Sequence, residues 1–265
     1  MEKYFNYRSG RIFYTDQGEG VPVIFIHGYL ETSGIWSDFV REITADYRVI
    51  TIDLPGHGRS DIYGDIHTMD FMAGVIRGLI DDLGMQRVIM IGHSMGGYVT
   101  LAFTELFPDL LAGYCLFHSH PFQDSPETIE KREMEIKMLE EGNKEKILSA
   151  SIPRLFASSN LKKFKEAVRQ SLRIAGEVPQ SGITAVLRGM MARPSRLDVL
   201  EHGRVPCLWI LGAMDNHINY EQVLTKVSLP ANTEVVVLRR SGHMGFAEER
   251  KRSVQVIVDF IEKVK

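Results

Sequence analysis

Two cysteines, Cys115 and Cys207, are all that 265 residues contain, and both sit inside apolar, strand-like runs. A small disulfide-stapled scaffold is excluded on that count, and buried free thiols in a reducing compartment are expected instead. Zinc-ligand spacing and an H-E-x-x-H pattern are both missing from the sequence, so no metal is expected. No apolar run approaches the length that crosses a bilayer. The first eight residues, Met-Glu-Lys-Tyr-Phe-Asn-Tyr-Arg, hold no apolar core of a signal peptide, and a cytoplasmic location is expected. Charge of one sign is also lacking. With 31 Lys and Arg against 34 Asp and Glu the formal charge is −3, which offers no field for nucleic acid or an anionic membrane. Internal repeats and low-complexity stretches do not occur.

What is present is an ordinary globular composition, 44% apolar and 25% charged, in a chain long enough to bury a substantial core. Residues 3–7 and 11–14, parted by Ser9-Gly10, predict a β-hairpin. The continuous apolar run 21–26 predicts a strand buried on both faces, the form favoured in parallel sheets. Helical spacing follows at 35–43, then a strand at 47–53 and an amphipathic helix over 69–83 closed by Gly84. A strand at 87–91, a helix at 95–107 and a strand at 113–117 continue the rhythm. Such alternation predicts an α/β fold, a mostly parallel central sheet with helices on both faces.

The rhythm breaks after Phe117. From about 121 to 196 no strand is convincing, and helices are predicted at 126–141, 145–156, around Leu161, Phe164, Val168 and Leu172 on one face, and at 183–192. Alternation resumes with a strand at 206–211, a helix at 220–227, a strand at 234–238 and a helix at 246–264. The expected organisation is a core of residues 1–120 and 196–265, with residues 121–195 inserted after the sixth strand as a helical lid.

The run 92–97, Gly-His-Ser-Met-Gly-Gly, holds a G-x-S-x-G pattern between a predicted strand and a predicted helix. A serine at such a strained turn needs glycine neighbours, because strand and helix pack too closely for Cβ atoms. Four further runs accompany it: Ile-His-Gly-Tyr-Leu at 26–30, Asp-Leu-Pro-Gly-His-Gly-Arg-Ser at 53–60, Leu-Gly-Ala-Met-Asp at 211–215 and Ser-Gly-His-Met-Gly at 241–245. In that order, and over essentially the whole length, the chain resembles an α/β-hydrolase fold protein with a helical cap.

The resemblance implies roles residue by residue. Ser94 is the expected nucleophile, and it needs an adjacent base because a serine hydroxyl is weak at neutral pH. His243, between two glycines after the last strand, is the expected base. Asp215, at the end of the strand that starts near Pro206, is the expected acid, with Asp124 beyond the sixth strand as its rival. The amides of Tyr29 and Met95 are the expected oxyanion donors. No cofactor is implied, and the expected partner is a small acyl substrate.

A serine at position 94 sets aside dehalogenases and epoxide hydrolases of this fold, which use an aspartate there. Carboxylesterases, thioesterases, carbon–carbon bond hydrolases, a menaquinone-pathway synthase, perhydrolase-like enzymes and small-ligand sensors that keep the triad all remain open. Other residues invite two readings each. His118 and His120, at i and i+2, could share a metal or serve the structure. The loop at Gly56-His57-Gly58-Arg59 could meet substrate or simply pack. Met134, Met138, Met190 and Met191 could roof a pocket or fill core. Arg173, Arg188 and Arg193 could read a carboxylate or face solvent.

Overall fold

Strand residues point alternately to two separate apolar layers, and this alternation builds the molecule. In the computed structural model, which describes residues 2–265, eight strands form one sheet in the order β1-β2-β4-β3-β5-β6-β7-β8. They are β1 (Glu2–Tyr7), β2 (Gly10–Gln17), β3 (Pro22–Ile26), β4 (Arg48–Ile52), β5 (Val88–His93), β6 (Leu111–Phe117), β7 (Cys207–Gly212) and β8 (Thr233–Leu238). The β1–β2 and β2–β4 pairs are antiparallel and every other pair is parallel. Ile24, Ile26, Ile50, Ile52, Met90 and Leu116 face the helices Met69–Asp82 and Met95–Leu106. Val23, Phe25, Val49, Ile89, Ile91 and Cys115 face the helix Arg250–Val264 and the turn bearing Trp36 and Phe39. Each such side chain, fully buried, stabilises the fold by about 1.5–3 kcal/mol. Cys115 and Cys207 are buried free thiols.

The expected strands all form, and the helices differ in their limits. The 35–43 segment is a 3-10 turn, Ser33–Trp36, followed by a single α-turn, Ser37–Val40. Glu42 and Ile43 close on the residues three before them, so the chain tightens once Trp36, Phe39, Val40 and Ile43 are buried. The last helix starts as Gly245–Glu248 and restarts as Arg250–Val264. Tertiary capture explains the break: Glu248 accepts from Gly242 N and Ala157 N, and Glu249 from Arg240 N.

Between β6 and β7 the helices Pro126–Glu140, Lys144–Ser151, Lys165–Glu177, Gln180–Met191 and Leu197–His202 contribute no strand. Leu161 and Phe164 precede the third of these, rather than sharing it with Val168 and Leu172. The second ends at Ser151, and Pro153 lies in the first positions of the 3-10 turn Ile152–Leu155 that follows. Leu197–His202 has no counterpart in the sequence expectations, and the helix Tyr220–Leu224 is shorter than its apolar spacing suggested. Helix Gln180–Met191 lies directly on core main chain. A Cβ on Gly182 would collide with the Gly56 carbonyl, one on Gly189 with that of His67, and His67 N donates to Ala185 O at 2.9 Å.

Candidate active site

Ser94 follows β5 with φ +50° and ψ −115°, outside the regions an L-residue ordinarily occupies. Three bonds hold it there: Ser94 N to Phe117 O at 2.9 Å, Gly97 N to Ser94 O at 2.9 Å, and Ser119 Oγ to Ser94 O at 2.7 Å. The helix that follows is pressed so closely to the end of β3 that a Cβ on Gly96 would meet the carbonyls of Ile26 and His27. Ser94 is half-buried, and its Oγ makes no hydrogen bond among the described residues.

Asp215 and His243 come together from the ends of β7 and β8. His243 Nδ1 lies 2.7 Å from Asp215 Oδ2, and the other carboxylate oxygen accepts from His217 N at 2.8 Å and Ile218 N at 3.1 Å. An ionised carboxylate only accepts, so the His243 proton sits on Nδ1 and Nε2 presents a lone pair. Burial opposes the Asp215 charge, but His243, its hydrogen bond and His118 prevail and hold the carboxyl far below the usual range. The His243 ring lies 5.1 Å, centroid to centroid, from that of His93, which immediately precedes Ser94.

Tyr29 follows the His27-Gly28 pair at the end of β3, and Met95 opens the helix after Ser94. Neither amide has an acceptor among the described residues, and a first-turn N–H has none within its own helix. His27 is locked below them, its Nδ1 donating to Gly28 O at 2.8 Å while Nε2 accepts from Leu54 N at 2.9 Å. In the 53–60 run, Asp53 accepts from Ser33 N at 2.7 Å and Arg59 N at 2.9 Å, which gives that loop a structural task.

Asp124 is elsewhere engaged. Arg132 and Arg193 hold its carboxylate at 2.7 and 2.8 Å, and Arg193 also lies 3.9 Å over the Tyr98 ring. Arg193 is therefore buried, whereas Arg173 is exposed and Arg188 donates to Asp65 O. His118 and His120 diverge. His118 Nε2 accepts from Gly245 N and its Nδ1 faces Asp215 at 3.6 Å, while His120 pairs with the Tyr98 hydroxyl at 3.1 Å. Burial, reinforced by the Arg193 charge, pushes His120 down to about 3. Among the described residues no group of three or more His, Cys, Asp or Glu could hold a metal ion. Met134 is 65% exposed and roofs nothing, Met190 is core, and Met138 and Met191 are half-buried.

Several site neighbours escape sequence reasoning. Glu31 and His93 form a buried pair at 2.9 Å, Glu248 braces Gly242 beside His243, and Tyr29 Oη donates to Glu135 on the first inserted helix at 2.6 Å.

With this geometry in place, comparison with known proteins is direct. A family model for the alpha/beta hydrolase fold matches residues 21–250, and the chain belongs to that family. A 2-hydroxy-6-oxononadienedioate/2-hydroxy-6-oxononatrienedioate hydrolase from Paraburkholderia phymatum is 28% identical over 290 residues, covering 98% of this chain and 95% of that protein. A solved thermophilic esterase from Thermogutta terrifontis is 29% identical with a TM-score of 0.91, over 100% of this chain and 99% of that one. An enol-lactonase from Burkholderia xenovorans shares the fold at 19% identity and a TM-score of 0.88, over 98% and 100% of the two chains. The protein is accordingly an enzyme of the hydrolase class. Among the described residues no helix is long and apolar enough to cross a membrane.

Proposed function

We propose that the chain is a serine hydrolase that cleaves a small ester or related acyl substrate through an acyl-enzyme. Ser94 Oγ attacks the acyl carbon while His243 Nε2 takes its proton, and Asp215 holds the resulting imidazolium. The amides of Tyr29 and Met95 receive the oxyanion. His243 then returns the proton to the leaving group, and water cleaves the ester to Ser94 by the reverse roles. The observation that carries this reading is the 2.7 Å His243–Asp215 contact, which leaves Nε2 as a free base.

Residues 121–195 act as the lid of this site and residues 1–120 and 196–265 as its core. Support comes from two contacts that tie the insertion to the working loops, His243 N to Leu155 O at 2.7 Å and Tyr29 Oη to Glu135 at 2.6 Å. Two buried free thiols favour a reducing, cytoplasmic setting. A carbon–carbon bond hydrolase is the second reading, favoured by the name of the Paraburkholderia phymatum relative and by its coverage of 98% of this chain.

The experiment is labelling with a fluorophosphonate, followed by turnover of an acyl-chain-length series of chromogenic esters and of the compound named for that relative. Ser94→Ala should abolish labelling and lower kcat by roughly 10⁴–10⁶ with unchanged circular dichroism. Near-parental rates in Ser94→Ala on every substrate would overturn the assignment. Turnover of the dienedioate alone would favour the second reading.

A further inference from the structure

Behind Ser94 one buried carboxylate touches several parts of the site at once. Glu31 is 4% exposed and His93 1%. Glu31 Oε2 accepts from Gly28 N at 2.6 Å and lies 2.9 Å from His93 Nδ1. The other nitrogen of that ring, Nε2, lies 2.9 Å from the backbone oxygen of His243. These groups surround the Cα of Gly28. A Cβ there would stand 2.8 Å from Glu31 Oε2, 3.0 Å from His93 Nδ1 and 3.1 Å from Ser94 Cβ.

The hydrogen inventory follows from the partners. A carbonyl oxygen only accepts, so His93 Nε2 carries a proton. Nδ1 then faces a carboxylate oxygen at hydrogen-bond distance, which requires one further proton between them. On either atom, that proton leaves the pair without net charge, the condition a buried site tolerates. Burial alone would push the Glu31 carboxyl up; the His93 charge, its hydrogen bond and the Gly28 amide outweigh burial and lower it.

We propose that Glu31 and His93 are a positioning pair that holds the oxyanion loop, the nucleophile elbow and the base loop in register. The proposal rests on the serine-hydrolase reading above. Each link reaches the residue beside a working group. Gly28 precedes Tyr29, His93 precedes Ser94, and the His243 carbonyl belongs to the base itself. The loop needs such a hold, because Leu30, on the other side of Tyr29, sits at φ +61°. Packing alone does not explain the pair, since apolar residues of similar volume would fill the space without desolvating charge. Misplacement of a reacting group by about 1 Å costs on the order of 10²-fold in rate, which is the scale this register protects.

Glutamine at position 31 has the right shape and the wrong chemistry. One terminal atom must meet both Gly28 N–H and His93 Nδ1. An amide oxygen there satisfies Gly28 but leaves His93 either a buried cation without its counter-charge or without its bond to His243. An amide nitrogen opposes the Gly28 N–H.

The test compares the wild type with Glu31→Gln, His93→Gln and the double variant. A fluorophosphonate counts competent sites, so kcat is expressed per site, and a boronic acid reports oxyanion binding. Each single variant should lose about 10–100-fold in kcat per site with KM changed less than threefold. Boronate affinity should fall in parallel, and the double variant should lose no more than the worse single one, because the pair acts as a unit. Unchanged kcat per site, with only stability or the number of sites reduced, would overturn the proposal. So would additive losses. If Glu31→Gln yields no titratable sites, the same per-site measurement on His93→Gln decides. A wild-type protein that takes no fluorophosphonate would refute the hydrolase reading instead.

Discussion

His243 is pulled in two directions by its surroundings. Burial disfavours its cation, whereas the Asp215 carboxylate, their hydrogen bond, and the charges of Glu31 and Glu248 favour it, and these raise its pKa above the ordinary 6.5. The working form of a general base is the unprotonated one. Turnover should therefore rise with pH and level off only above a pKa higher than that of an ordinary histidine. Asp215→Asn removes the charge and frees the ring to take the wrong tautomer. Its plateau rate should drop by roughly 10⁴, and its acid limb should move to lower pH. A pH profile of kcat/KM for both proteins checks the direction, and an acid limb that stays in place would mean that Asp215 does not govern His243.

The loop after β6 and the inserted helices are joined by charge, and this is where Asp124 acts. Its side chain is 3% exposed and is shared between Arg193, at 2% exposed, and Arg132 from helix Pro126–Glu140. Removing the carboxylate leaves two largely buried guanidinium groups without their counter-charge. Asp124→Asn should cost on the order of 3 kcal/mol of stability while kcat per competent site stays within a few-fold. Denaturant melts alongside active-site titration separate the two; a lost kcat with an unchanged melt would return Asp124 to the chemistry. The sequence could not show this: Asp124 read as a rival acid and Arg193 as a carboxylate reader or a solvent-facing charge, and nothing local tied either to Arg132. Their meeting depends on the return of the chain at residue 193. Helix limits were obscured in the same way: nothing local at Glu249 announces that its carboxylate will be taken by Arg240 N.

For the molecule as a whole, the sheet was the legible part, since each strand carries its own apolar run and each site loop its own glycines. That is why the resemblance could pair Asp215 with His243, 28 residues apart, from their places after the last two strands. Glu31 and His93 could not, because 62 residues and two strands separate them and neither has a local motif for the other. The main-chain seam along Gly182 and Gly189 was equally silent, and it fixes that helix against the core. No side chain lies between that helix and the core at those points, so any slide or lift there must break backbone contacts. Helix Lys165–Glu177, by contrast, buries only Ala175. On the proposed lid reading, the seam is the anchored edge of the insertion and Lys165–Glu177 the edge freer to move. Hydrogen–deuterium exchange should find the Gln180–Met191 amides the slowest of the insertion and those of Lys165–Glu177 the fastest. The reverse order would mean that the glycine seam does not anchor the insertion.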